Sequence, residues 1–190
     1  TPDADLYHDD LKAMIDDRYN HPCIVQWTAF NEVDMVKHFD AKSVVEWISA
    51  YDPSRLVDTD SGGPANDLHV GDVNDIHTYP DPKIPLPSAT QYGEVGEFGG
   101  LGAFVEGHVW LPNRCYAYRK VGTPNAQATA YIAMAKTIQD NKKDVSISVY
   151  TQITDVELEC DGFLNYDRTN KFTEEDTKRI RDANLDLINA

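Results

Sequence analysis

Basic residues are scarce in this sequence: 17 Lys and Arg stand against 32 Asp and Glu, for a formal net charge of −15. A surface of that sign repels phosphate backbones and anionic bilayers, so neither nucleic acid nor a membrane is expected as a partner. Cysteine is scarcer still. Cys23, Cys115 and Cys160 show no CxxC or paired-His spacing, and an odd number cannot close into a complete disulfide set, so they read as buried or incidental thiols. Long apolar runs are missing, and nothing approaches the roughly 20 residues that span a bilayer. No charged-then-apolar leader opens the chain; it reads as soluble and as starting in mid-fold, which leaves export of a longer protein to the periplasm or exterior open. His69, His77 and His108 are scattered, without an HExxH arrangement, so no catalytic metal and no cofactor are expected.

What is present is enough for one domain over residues 1–190. A hydrophobic share of 41% argues against disorder, and the length suits a single core. It is short for a complete eight-fold α/β barrel, which takes about 250 residues. Leu6, Leu11, Met14 and Ile15 give a helical stripe that Pro22 terminates, and a strand over Cys23 to Phe30 follows. A second helix is predicted from Asp40 to Tyr51, then short strands at Arg55 to Asp58 and Val73 to His77. The proline-rich stretch Tyr79 to Pro87 can only be a surface excursion. After a strand ending at Glu97, Thr123-Pro124 opens a helix to about Asn141, Val145 to Thr151 is the last strand, and Thr173 caps a final helix. Alternating strands and helices favour a parallel sheet or barrel.

The chemistry collects where strands end. Those ends carry Asn31-Glu32, Asp60-Ser61, His77 with Tyr79, Glu97, and Gln152 with Asp155 and Glu157. In an α/β barrel the active site lies at the C-terminal ends of the strands, and a sugar needs its ring of hydroxyls paired when water is excluded. Two carboxylates so placed suit glycoside hydrolysis, one protonating the leaving oxygen while the other attacks the anomeric carbon or activates water. Bland readings stand beside each: Glu32 could cap the next helix, and Glu97 could be a turn carboxylate among glycines. Glu94 competes with Glu97, but three positions separate them, so their side chains face opposite ways, and Glu97 is the one at the strand end. Trp110 is either a stacking platform for a sugar or a packed loop aromatic.

Asn20-His21-Pro22-Cys23-Ile24-Val25-Gln26-Trp27, followed by Phe30-Asn31-Glu32, resembles the acid/base segment of glycoside hydrolase family 2, the β-galactosidase and β-glucuronidase group. Asp52-Pro53-Ser54-Arg55-Leu56-Val57, Ser61-Gly62-Gly63, Gly71-Asp72-Val73-Asn74-Asp75-Ile76-His77-Thr78-Tyr79-Pro80, Gly96-Glu97-Phe98-Gly99-Gly100-Leu101-Gly102 and Tyr150-Thr151-Gln152-Ile153-Thr154-Asp155-Val156-Glu157 are similar, in order, to later strands of that family's catalytic barrel. The resemblance runs from about Leu6 to Lys171 and implies a partial (β/α)8 TIM barrel, about the last five strands of eight. It implies a retaining exo-β-glycosidase, β-galactosidase-like, with Glu32 as acid/base and Glu97 as nucleophile. Asn31 would bind the sugar 2-hydroxyl, His77 and Tyr79 would line the site, and Tyr79 would orient Glu97. Three departures accompany it: the family's earlier barrel strands and preceding β-sandwich domains are not seen in this sequence, Val33 to His38 lacks a Gly-Trp-Gly, and Glu94 stands where an apolar residue is expected. The alternative reading is a non-catalytic carbohydrate-binding remnant; a remoter one is an unrelated metal-independent hydrolase. Self-association or a partner chain completing the barrel is expected, since open strand edges and an apolar interior invite it.

Overall fold

A computed structural model of the chain describes residues 3–32 and 39–189. The chain divides into two compact units, Thr1–Ile76 with Pro85–Glu94, and His77–Ile84 with Val95–Ala190. The segment 33–38, whose composition departs from the family pattern, lies outside the described residues.

In the first unit, helix α1 (Ala4–Arg18) starts at Asp3, whose carboxylate accepts from the Leu6 amide, and buries Leu11 and Ile15. Strand β1 (Gln26–Asn31) pairs in parallel with β2 (Leu56–Ser61), with Thr28 opposite Asp58 and Asn31 opposite Ser61. Helix α2 (Ala41–Tyr51) connects them, capped by Asp40 and burying Ala41, Val45 and Ile48. Asp40, not Glu32, therefore supplies the cap. A single 3-10 turn (Pro64–Leu68) follows β2. Ile15, Trp27, Phe30, Ile48 and Val57 form the core.

The Asp52-Pro53-Ser54-Arg55 segment locks this unit together. Arg55 donates through Nε to the Ile24 carbonyl (2.9 Å), through Nη2 to the carbonyls of Tyr19 (2.7 Å) and His21 (3.0 Å), and through Nη1 to Asp52 (2.6 Å). Asp52 also accepts from the Trp27 indole at 2.9 Å and from Ser54. One guanidinium thus ties three carbonyls of the chain between α1 and β1 to Asp52.

Strand β3 (Val73–Thr78) enters from the first unit and ends in the second, as does β4 (Tyr92–Gly99). The second unit holds β5 (Leu101–Gly102) paired in parallel with β6 (Arg119–Lys120), α3 (Pro124–Asp140), β7 (Ile147–Thr151) and α4 (Glu174–Ile188). The three-stranded sheet has the order β3-β4-β7. Thr123 caps α3 with Pro124 in the first turn, and Thr173 caps α4 by accepting from the Asp176 amide, as their sequences predict. Val95, Phe98, Leu101, Tyr131, Met134, Ile138 and Ile180 form this unit's core.

The structure is α/β throughout, and among the described residues no sheet closes into a barrel. No helix among them is long and apolar enough to cross a membrane. One expectation is overturned: Cys115 and Cys160 are joined in a disulfide, while Cys23 is free and exposed. An odd count bars only a complete set, and a sequence separation of 45 hides the partners' proximity from sequence.

Candidate active site

In the second unit, three predicted residues come together at the strand ends. Glu97, near the end of β4, accepts a short hydrogen bond from the Tyr79 hydroxyl. His77 Nδ1 lies 3.5 Å from the same carboxylate oxygen, its ring almost enclosed. The Tyr79 hydroxyl is also 2.8 Å from Thr151 Oγ1 at the end of β7. Burial pushes the Tyr79 phenol well above its ordinary range, and the hydrogen bond to Glu97 pushes it further. The phenol therefore stays protonated and acts as a donor to the carboxylate. Its ring is covered by Tyr118, stacked at 3.7 Å between centroids and 6° between planes.

Thr151 and Tyr118 were not singled out from sequence. For Thr151 a signal existed, since it immediately precedes Gln152 at a strand end. For Tyr118 the only hint was the alternation of Tyr116, Ala117 and Tyr118.

Other predicted residues of this unit lie elsewhere. Trp110 is 44% exposed and stacks on Tyr166, with centroids 5.8 Å apart and planes 7° apart. It is at once a packed aromatic and a half-open ring face. Gln152 donates to Asp161 Oδ1 at 2.9 Å. Burial raises Asp161 to about 6, the Gln152 hydrogen bond opposing and the charges of Glu159 and Asp155 assisting. Asp155 is fully buried, accepting from Lys171 Nζ at 2.9 Å and from the Gly162 amide at 2.8 Å. Burial lowers the Lys171 amine, and the Asp155 hydrogen bond opposes the shift. Asp155 thus holds a turn in place. Glu157 is exposed, with a left-handed φ of 51°.

In the first unit, Asn31 and Glu32 close β1 with exposed side chains. Glu32 also has a left-handed φ of 51°, and its amide donates to the Ser61 carbonyl at 3.0 Å, extending the β1–β2 pairing by one residue. A non-glycine residue in that region costs energy unless its surroundings hold it, and such residues cluster at functional sites. Glu94, the rival carboxylate, lies in this unit and is 6% exposed, accepting from Gln26 Nε2 at 3.0 Å. Tyr92 in turn donates to Gln26 Oε1. Glu94 thus sits in an enclosed polar network, whereas Glu97 is accessible at its strand end.

Comparison with known proteins decides the relationship. Residues 3–91 match the profile described as glycosyl hydrolases family 2, TIM barrel domain. Over that segment the chain is similar to the family 2 glycoside hydrolases. A β-galactosidase of Pectobacterium atrosepticum is 30% identical over 86 residues, which is 45% of this chain and 8% of that protein. Among solved structures, a β-glucuronidase from an uncultured Clostridium sp. is similar with a TM-score of 0.64 and 16% identity, over 95% of this chain and 35% of that one. The β-glucuronidase of Ruminococcus gnavus in complex with D-glucuronic acid gives 0.63 and 18%, over 93% and 35%. An exo-β-agarase gives 0.53 and 17%, over 79% and 22%. At these identities the structural likeness is one of fold. The chain spans well under half the length of each of these relatives. The family 2 match takes in Asn31, Glu32, His77 and Tyr79 and stops before Glu97.

Proposed function

We propose that this chain carries the catalytic carboxylates of a retaining exo-β-glycosidase, β-galactosidase-like, built on the later part of a family 2 barrel. Glu97 attacks the anomeric carbon of a β-glycoside while Glu32 protonates the departing oxygen. The glycosyl ester on Glu97 is then cleaved by a water whose proton Glu32 takes back, so the configuration is retained and both residues return to their starting states. The observation that carries the reading is the setting of Glu97: an accessible carboxylate at a strand end, gripped by a phenol that stays protonated, with His77 beside it.

A carboxylate nucleophile needs its attacking oxygen aimed, and a donor on the other oxygen supplies that aim. Asn31, His77, Tyr79, Trp110, Gln152 and Glu157 are the proposed sugar-facing set, and Asp155, buried on Lys171, supports them only through the turn that it holds. No cofactor or metal is invoked. The names of the relatives direct the choice of probes toward β-galactosides and β-glucuronides.

The test is covalent labelling. Incubation with 2-fluoro glycosyl fluorides of the galacto and glucurono series, followed by peptide mass spectrometry, is expected to place one sugar on Glu97. Glu97→Gln should abolish labelling, and Glu32→Gln should slow turnover of chromogenic glycosides by orders of magnitude, as loss of general acid catalysis does. Labelling at Glu94 or nowhere, by a folded chain, would sink the assignment.

A further inference from the structure

The segment Cys115-Tyr116-Ala117-Tyr118-Arg119-Lys120 has a feature that its exposure does not explain. Tyr116 and Tyr118 are 49% and 44% exposed, while Ala117 between them is buried, as alternation in an extended segment requires. Side chains so open are usually free to change rotamer. Here the backbone is held on both sides. The Tyr116 amide donates to the Leu158 carbonyl (2.7 Å), the Cys160 amide donates to the Tyr116 carbonyl (2.9 Å), and the disulfide joins Cys115 to Cys160. Beyond Tyr118, the Arg119 amide donates to the Gly100 carbonyl (3.1 Å) and the Val121 amide to that of Gly102 (2.9 Å), which is the β5–β6 pairing.

Between these anchors the Tyr118 ring lies flat on Tyr79, and Tyr116 packs edge-on against it with centroids 5.4 Å apart. Gly100, at φ +59°, leaves the room: a Cβ there would stand 2.3 Å from Tyr118 Cδ2. Arg119 reaches Asp81 at 3.4 Å, and the Gly99 amide holds the Pro80 carbonyl at 2.9 Å, so the loop bearing Tyr79 is tied to the same strap and to β4.

We infer that Tyr118 is a positioning residue: clamped by the disulfide-anchored strap, its ring fixes the plane of Tyr79 and so keeps the Tyr79 hydroxyl on Glu97. The inference rests on the reading of Glu97 as nucleophile. Stacking constrains a partner ring through its geometry as well as its area, and small misplacements of a group that aims a nucleophile cost rate steeply.

The experiment compares wild type, Tyr118→Phe, Tyr118→Leu, Tyr118→Ala and Gly100→Ala in the full chain, each checked for folding by circular dichroism. Tyr118→Phe keeps the stack and should stay within about twofold of wild type. Tyr118→Ala should lose roughly ten- to a hundredfold in kcat with little change in KM. Where Tyr118→Ala fails to fold, Tyr118→Leu keeps bulk without the aromatic face, and Gly100→Ala displaces the ring from behind; both should follow the Ala pattern. A folded Tyr118→Ala or Tyr118→Leu with the wild-type kcat and KM overturns the inference. If the wild type is neither labelled nor active, the nucleophile reading fails on its own, and crystal structures of the variants decide the clamp: Tyr79 displaced from Glu97 and Thr151 supports it, Tyr79 unmoved overturns it.

Discussion

Asp52 and Asp58 are six residues apart, both fully buried in the first unit, and they are driven to opposite protonation states. Burial acts to raise Asp52, but hydrogen bonds from Ser54, Trp27 and Arg55 outweigh it and hold the carboxyl far below its usual range. At Asp58, burial and then the charges of Asp75 and Glu94 push the carboxyl up to about 8, against the opposing hydrogen bonds of the Asp60 backbone and Thr28. The unfolded chain sheds this proton near pH 3.9, so between about pH 4 and 8 the folded state holds a proton that the unfolded state has lost. Stability from this group is complete below that window and falls as pH rises through it. Asp58→Asn, which cannot ionise, should flatten the fall, visible as a smaller difference between urea midpoints at pH 5 and pH 8; an unchanged difference would refute it. Arg55→Ala should cost about 3–5 kcal/mol in the same assay, because it strands a buried carboxylate. Arg55→Lys should recover only part, since an ammonium cannot reproduce the fork that reaches three carbonyls and Asp52.

The helices were legible because their signals are local. Asp40 before Ala41, Thr123 with Pro124, and Thr173 each accept an amide within three residues, and three residues is a distance that sequence displays. The strap was not legible. Its anchors come from Gly100, Leu158 and Cys160, and nothing near Tyr118 announces them. The disulfide encloses a long loop, so reducing it or replacing both Cys115 and Cys160 by Ser should lower stability by about 2–4 kcal/mol, read by denaturation with and without reductant; coincident curves would show that the strap is held by its hydrogen bonds alone. Gly63 is a second element-level constraint, its missing Cβ being filled by the Asp60 carboxylate at 2.0 Å. Gly63→Ala should cost roughly 1–3 kcal/mol by overpacking the turn after β2.

At the scale of the molecule, β1 and β2 form a two-stranded parallel pair among the described residues. Parallel strands are normally buried on both faces and flanked by neighbours, and open edges invite association. We therefore expect the chain to self-associate or to bind a partner segment. Sedimentation velocity over a range of concentrations tests this: a rising weight-average coefficient is expected, and a constant monomeric value at every concentration would refute it.

The amino-acid order alone determined the alternation of helix and strand, the caps, and the placement of carboxylates at strand ends, because each depends on residues a few positions apart. It also carried the family 2 resemblance, since ordered motifs survive when overall identity is low. Tertiary structure decided which of these groups meet: Tyr79 on Glu97 across 18 residues, Tyr79 on Thr151 across 72, and the pairing of Cys115 with Cys160. It decided the protonation of Asp58 as well, for burial sums over atoms drawn from distant parts of the chain, and no local pattern encodes that sum.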